Sequence, residues 1–168
     1  MKMTIFILII VIIFIVFVFF SLKRKVRGLP FLKKIYFFSE AEKKFYLALK
    51  QVTDKNNWVI FPKVRLLDIF YIPGRYHSRE NFLLKNKIVQ KHVDFLLCDN
   101  SAFSPIAAVE LDDSSHRWGK RKERDEFVDS VFSSTKLPLL RIWVSSSYDI
   151  NSLEQKIKEE IEKIKPQK

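Results

Sequence analysis

Three carboxylates and a histidine fall within seven residues at the end of Ala107-Ala108-Val109-Glu110-Leu111-Asp112-Asp113-Ser114-Ser115-His116. They close an apolar run that reads as a buried strand. Ionised carboxylates beside a core are costly unless they are paired, hydrogen-bonded or bound to a cation. A strand has a period of two, so Glu110 and Asp112 project from one face. Two oxygen donors on one rigid edge, with the His116 imidazole just beyond, suit a hard divalent metal.

That edge needs a partner strand. His92 to Cys98 reads as a strand, Asp99-Asn100-Ser101 supplies turn residues, and Ile106 to Asp112 reads as the next strand. A hairpin turning near residues 101–103 sets residue 94 opposite a position within 108–112, and cross-strand Cβ atoms lie only ~4.5–5.5 Å apart. Asp94 would then join Glu110 and Asp112, provided that the register holds.

The flanking elements follow from pattern. Ser39-Glu40-Ala41-Glu42 has the form of a capping box, and Phe45, Leu47, Ala48, Leu49 and Val52 follow as an apolar face. The helix is predicted to end near Thr53, before the turn-like Asp54-Lys55-Asn56-Asn57. Residues 58–61 and 64–70 read as a strand interrupted at Pro62, or as two short strands. Residues 75–91 read as a polar, basic loop with one short helix. Arg117 to Thr135 is predicted mainly helical, Pro138 to Val144 a strand, and Leu153, Ile157, Ile161 and Ile164 mark an amphipathic helix. The order is that of an α/β sandwich around a mixed sheet.

Residues 5–20 are all apolar, and residues 4–22 reach the ~20 that a bilayer-crossing helix needs. The run ends in Phe19-Phe20-Ser21-Leu22-Lys23, without the small residues of a signal-peptide cleavage site, so an uncleaved anchor is expected. Lys23, Arg24, Lys25 and Arg27 follow it, against Lys2 alone before it. The positive-inside rule then directs the N-terminus outward and the rest into the cytoplasm, at the inner membrane of the cell. The expected organisation is an anchor over 1–22, a basic neck over 23–38 and a folded domain over 39–168. Cys98 is the sole cysteine, which excludes an intramolecular disulfide.

The net charge is +11 over 168 residues. Five basic side chains and no acid lie in residues 1–28, leaving +6 for the remainder. Part of the basicity thus belongs to membrane topology and anionic headgroups. The rest modestly favours a polyanionic partner. Lys120, Arg121 and Arg124, within the run Arg117 to Arg124, could hold phosphates beside a carboxylate site, or simply form a solvated face.

Each candidate has a structural alternative. Asp94, Glu110 and Asp112 could hold a metal or form an ion-pair network with Arg141, Arg124 or Lys91. Glu42 is explained as a helix cap as well as by a site role. Asp68 reads as structural. His116 is open between metal ligand, general acid or base, and turn hydrogen-bonder.

Residues 37–145 resemble a bacterial family, domain of unknown function 2726. The resemblance rests on Ser39-x-x-Glu42-x-x-Phe45-Tyr46, Val64-x-Leu66-x-Asp68, His92-Val93-Asp94-Phe95 and Glu110-Leu111-Asp112-Asp113-Ser114-Ser115-His116. It continues through Arg121-x-x-Arg124-Asp125-x-Phe127 to Leu137-Pro138-Leu139-Leu140-Arg141-Ile142. The family is similar to the PD-(D/E)XK, or restriction-endonuclease-like, superfamily and to very-short-patch-repair endonucleases with their E-x-D-G-x-x-H motif.

This resemblance implies a three-layer α/β sandwich with an αβββαβ core, and a nuclease site using Mg²⁺ or Mn²⁺. DNA is favoured over RNA as the nucleic-acid partner. Asp94 would be the first acidic metal ligand and Glu110 the second, with a glutamate such as Glu42 contributed by the first helix. Asp112, itself a possible ligand, stands where the superfamily has a lysine that orients the attacking water and offsets negative charge. His116, Lys120 or Arg124 could take that role. The expected function is a membrane-anchored, metal-dependent nuclease acting on phosphodiesters. The alternative is an inactive nuclease-fold module that binds nucleic acid or a partner protein at the membrane.

Overall fold

The structure is a computed structural model that describes residues 2–22, 29–74, 78–112 and 122–164, with side chains described throughout these ranges except at 2, 20–22 and 122–125. The chain divides into two units, Met1–Phe37 and Phe38–Lys168. The first unit contains α1 (Lys2–Leu22), a helix of 21 residues. Its side chains at 3–19 are exposed and, apart from Thr4, apolar on every side. Among the described residues no helix is long and apolar enough to cross a membrane. The described side chains of α1 stop just short of the ~18–20 apolar residues that a crossing takes. Residues 23–28 of the expected neck lie outside the described residues. Residues 29–37 form no helix or strand, and Phe31, Leu32, Ile35 and Tyr36 are exposed there.

In the second unit the capping box starts α2 (Glu40–Asn56) as its residues predict. Ser39 Oγ accepts from the Glu42 amide at 3.2 Å, and Glu42 Oε2 accepts from the Ser39 amide at 2.6 Å. The helix runs three residues past its expected end at Thr53. Asp54 pairs with Lys50 one turn back, and Asn56 donates to the Val52 carbonyl. Asn57 then stops the helix in the left-handed conformation, at φ 55°.

The first strand, β1 (Trp58–Arg65), runs through Pro62, which pairs with Phe95. A proline is tolerated there because β1 is an edge strand of the sheet, whose order is β1-β2-β3-β4. The expected strand over 64–70 is corrected beyond Arg65: Leu66–Ile69 is a short helix, α3. The Leu66 amide donates to the Lys91 carbonyl, the Phe70 amide closes the turn on Leu66, and Arg65 grips Asp68 through two hydrogen bonds. Asp68 is therefore accounted for locally.

Ser78 caps α4 (Arg79–Ile88) within the segment expected to be mostly loop. β2 (His92–Asp99) and β3 (Pro105–Asp112) form the expected hairpin. Asp99 organises its turn, accepting from the amides of Ser101, Ala102 and Ser104. These bonds hold its carboxyl well below the usual range. α5 (Lys122–Thr135) crosses over to β4 (Leu139–Trp143), parallel to β3, and α6 (Ile150–Ile164) ends the fold.

Two apolar clusters cover the two faces of this mixed sheet. On one face Phe45, Leu49 and Val52 of α2 and Leu153 and Ile157 of α6 pack on Phe95, Leu97, Val109 and Leu140. On the other, Leu66, Ile88, Val128 and Phe132 from α3, α4 and α5 pack on Leu96, Cys98 and Ala108. The period of two assigns Glu110 and Asp112, with Ala108, to this second face. Burial pushes the Cys98 thiol up, as suits a packing residue.

Candidate functional site

The hairpin register decides what Asp94 meets. Phe95 pairs with Val109 and Leu96 with Ala108, so one further step sets Asp94 opposite Glu110. The Ala108 amide points away from β2, to the Pro138 carbonyl, so the amides of Val109 and Leu111 are those directed toward β2. The ladder pairs of β2 and β3 stop at Phe95–Val109, and there the side chain takes over: Asp94 Oδ2 accepts from the Leu111 amide at 2.8 Å. Asp94 is thereby held at the backbone between Glu110 and Asp112.

The parallel strand β4 brings a cation to the same edge. Arg141 lies in register with Glu110. Its Nη1 donates to Glu110 Oε2 at 2.8 Å and lies 3.7 Å from Asp112 Oδ1, while Nη2 donates to Asp129 Oδ1 of α5 at 2.9 Å. Partial burial works against the guanidinium. The hydrogen bond to Asp129 and the charges of Glu110, Asp129 and Asp112 outweigh it and hold the Arg141 pKa above its ordinary value. The Arg141 side chain is about a third exposed and that of Glu110 about a quarter, so water reaches the cluster. Three carboxylates surround one guanidinium, and Asp94 stands beside them.

Glu42 is tied to β1 at Lys63, the position level with Asp94 between the pairs Pro62–Phe95 and Val64–Val93. One of its oxygens caps α2, and the other pairs with Lys63 Nζ at 2.8 Å. Lys63 is at φ 54°, a left-handed residue inside β1. Burial raises the Glu42 pKa, but the bonds from Lys63 and Ser39 outweigh it and leave the carboxyl below its ordinary value. α2 packs on the sheet face opposite to that of Glu110 and Asp112. The cap and Lys63 together account for both Glu42 oxygens.

Asp113, His116, Lys120 and Arg121 lie outside the described residues, as does the side chain of Arg124. Among the described residues no group of three or more His, Cys, Asp or Glu side chains is arranged to hold a metal ion. Asp129 was missed by sequence reasoning. Its signal was present but weak: an acid set between the apolar positions Val128 and Phe132 of α5, on the side of the helix that meets the sheet. Lys63, the partner of Glu42, gave no signal at all.

No curated protein matches this chain, and no solved structure matches it. A family model described as "Protein of unknown function (DUF2726)" matches residues 34–161, most of the chain and the whole of the sheet. The chain belongs to that family of proteins of unknown function.

Proposed function

We propose that this protein is a membrane-anchored, metal-dependent nuclease of restriction-endonuclease-like type. One observation carries the reading: the Asp94 carboxylate reaches across the hairpin to the Leu111 amide, between Glu110 and Asp112. An acid from one strand is thereby set level with Glu110 of the next, at the end of the sheet that Asp112 closes. With α3 and α4 set aside as an insertion between β1 and β2, the elements α2, β1, β2, β3, α5 and β4 follow the αβββαβ order that the resemblance implies, which supports the same reading.

The donor set fits a hard cation. Carboxylate oxygens suit Mg²⁺ or Mn²⁺, and Asp94 and Glu110, with Asp112, would hold the ion. Such an ion supplies Lewis acidity toward a phosphoryl oxygen. The chain's own residues do the rest. Asp94 is fixed by its bond to the backbone, so it offers a preset oxygen. Arg141 stands where positive charge is needed beside Glu110 and Asp112, and it offsets the repulsion that the superfamily's lysine would otherwise relieve. A guanidinium stays charged, so Arg141 can stabilise charge on a phosphate but cannot serve as a base. His116 remains the candidate for proton transfer, and Lys120, Arg121 and Arg124 for backbone phosphates.

The anchor reading rests on α1. A helix apolar all round belongs in a core or a bilayer, and in the sequence the apolar run with its neighbours, residues 4–22, reaches the ~20 residues that a crossing takes. The exposed Phe31 and Tyr36, with Lys33 and Lys34 between them, suit the headgroup layer beyond it. The charge asymmetry of the flanks directs the folded unit into the cytoplasm.

The test uses the full chain in detergent with DNA and RNA substrates. Cleavage is expected with Mg²⁺ or Mn²⁺, abolished by EDTA and by Glu110→Gln. No cleavage by folded, metal-loaded protein, or equal cleavage by the variant, contradicts the reading. A second reading has its own observation. Arg141 already neutralises Glu110 and Asp112, as it would in a nuclease fold kept only for binding. In that case Mn²⁺ titration gives no heat, while salt-sensitive nucleic-acid binding persists.

A further inference from the structure

A cavity of about 470 Å³ opens between α3 with the segment after it and α4. Such a volume falls within the ~300–1,000 Å³ of small-ligand sites. Phe70 and Ile72 form apolar walls, Tyr71 and Phe82 stand at its borders, and Asn81 and Lys85 are its polar lining. Tyr71 is 85% exposed and Phe82 61% exposed, although both are large aromatic groups. Aromatic rings held at a cavity mouth beside a lysine have the chemistry of a base-stacking platform: π-faces for bases and a cation for the linking phosphate.

The surroundings favour an anion. Residues 78–92 carry Arg79, Lys85, Lys87 and Lys91 against the single acid Glu80. Among the described residues no carboxylate lines the cavity, and Asp68 of α3 is paired with Arg65. One helix, α5, touches both a wall of the cavity and the acidic site. Phe70 meets Phe132 of α5 edge to face at 4.9 Å, and Asp129, three residues earlier on α5, binds Arg141. Residues three apart on a helix are neighbours. Lys87 Nζ of α4 lies over the Phe127 ring of α5 at 4.8 Å, tying the basic helix to the same support.

We propose that the cavity bordered by Tyr71, Phe82 and Lys85 binds unpaired nucleotides of a single-stranded segment, stacking bases on the two rings and setting the phosphate against Lys85. This rests on the nucleic-acid reading above but not on cleavage.

The test is fluorescence anisotropy of the full chain in detergent with labelled decathymidylate and decauridylate. EDTA is present, so that no metal-dependent cleavage intervenes. Tyr71→Ala and Phe82→Ala are each expected to weaken binding about tenfold, while Tyr71→Phe and Phe82→Tyr retain it. Lys85→Gln is expected to flatten the dependence of log affinity on log salt by about 0.7. Tyr71 is so exposed that its loss leaves folding intact, which unchanged melting verifies. Affinity within twofold of the wild type in both alanine variants overturns the proposal. So does a wild-type protein that binds neither oligonucleotide at low salt, or a cavity that takes an apolar peptide without displacing them. Binding that survives in Glu110→Gln, with cleavage lost or never present, upholds this site separately from the nuclease reading.

Discussion

Replacing Arg141 with glutamine removes a guanidinium that Glu110, Asp112 and Asp129 share. Two charge-assisted hydrogen bonds disappear, at 2.8 and 2.9 Å, and so does the contact with Asp112 at 3.7 Å. Hydrogen bonds to charged groups contribute ~1.5–3 kcal/mol each. Water reaches an arginine side chain that is about a third exposed, so part of that sum is recovered by solvation. The carboxylates left behind repel one another, which restores some of the cost. The net expectation is a loss of about 2–4 kcal/mol, or a melting temperature lower by on the order of 10 °C. The assay is thermal unfolding by circular dichroism of the full chain in detergent at neutral pH, with and without Mn²⁺. A dication at the carboxylates replaces the missing charge, so Mn²⁺ should recover much of the variant's loss; at a hundredfold excess over the dissociation constant it contributes ~2.7 kcal/mol. A melting temperature within about 2 °C of the wild type would refute the ion-pair reasoning. A destabilised variant that Mn²⁺ leaves unchanged would refute the metal reading and leave Arg141 as a structural neutraliser.

Asp94→Ala strands the buried-side amide of Leu111 and should cost ~1–3 kcal/mol in chemical denaturation, whereas Asp94→Asn keeps an acceptor there and should melt near the wild type while losing Mn²⁺ affinity. Equal metal affinity in Asp94→Asn would remove Asp94 from the ligand set. Glu42→Gln tests the cap: its carboxyl sits below the ordinary value of 4.5, so its contribution is full above that value and fades as pH falls through the lowered one. The variant should therefore be less stable than the wild type at pH 7, and the gap should close in acid; a gap independent of pH would contradict the Lys63 and Ser39 bonds. Ser39→Ala should cost about 1 kcal/mol through loss of the Oγ acceptor, read from the same melts.

Much of this arrangement is legible in the residues because local rules act alone there. The capping box fixed Ser39 and Glu42 from spacing, and strand alternation gave Glu110 and Asp112 a common face. The hairpin held since Asp99 to Ser104 are turn formers that satisfy one another's polar groups. The failures lie where a distant partner overrides a local pattern. Val64 to Phe70 looks like a strand, but the Lys91 carbonyl captures the Leu66 amide, and Arg65 with Asp68 stabilises a helical turn instead. The pairing of Arg141 with Glu110 depends on the parallel register of β3 and β4, which α5 sets from outside either strand. Asp129 enters the cluster only because α5 packs across that face, a tertiary fact that its place between Val128 and Phe132 signals only weakly.

The central claim is that Asp94 and Glu110 share a divalent cation. Crystals of the full chain soaked in Mn²⁺, measured at a wavelength where manganese scatters anomalously, test it directly. The account predicts an anomalous peak bridged by the Asp94 and Glu110 carboxylates, with the Arg141–Glu110 bond lengthened or released. Density with no such peak, and Arg141 still bonded to Glu110 and Asp129 at saturating Mn²⁺, would contradict it.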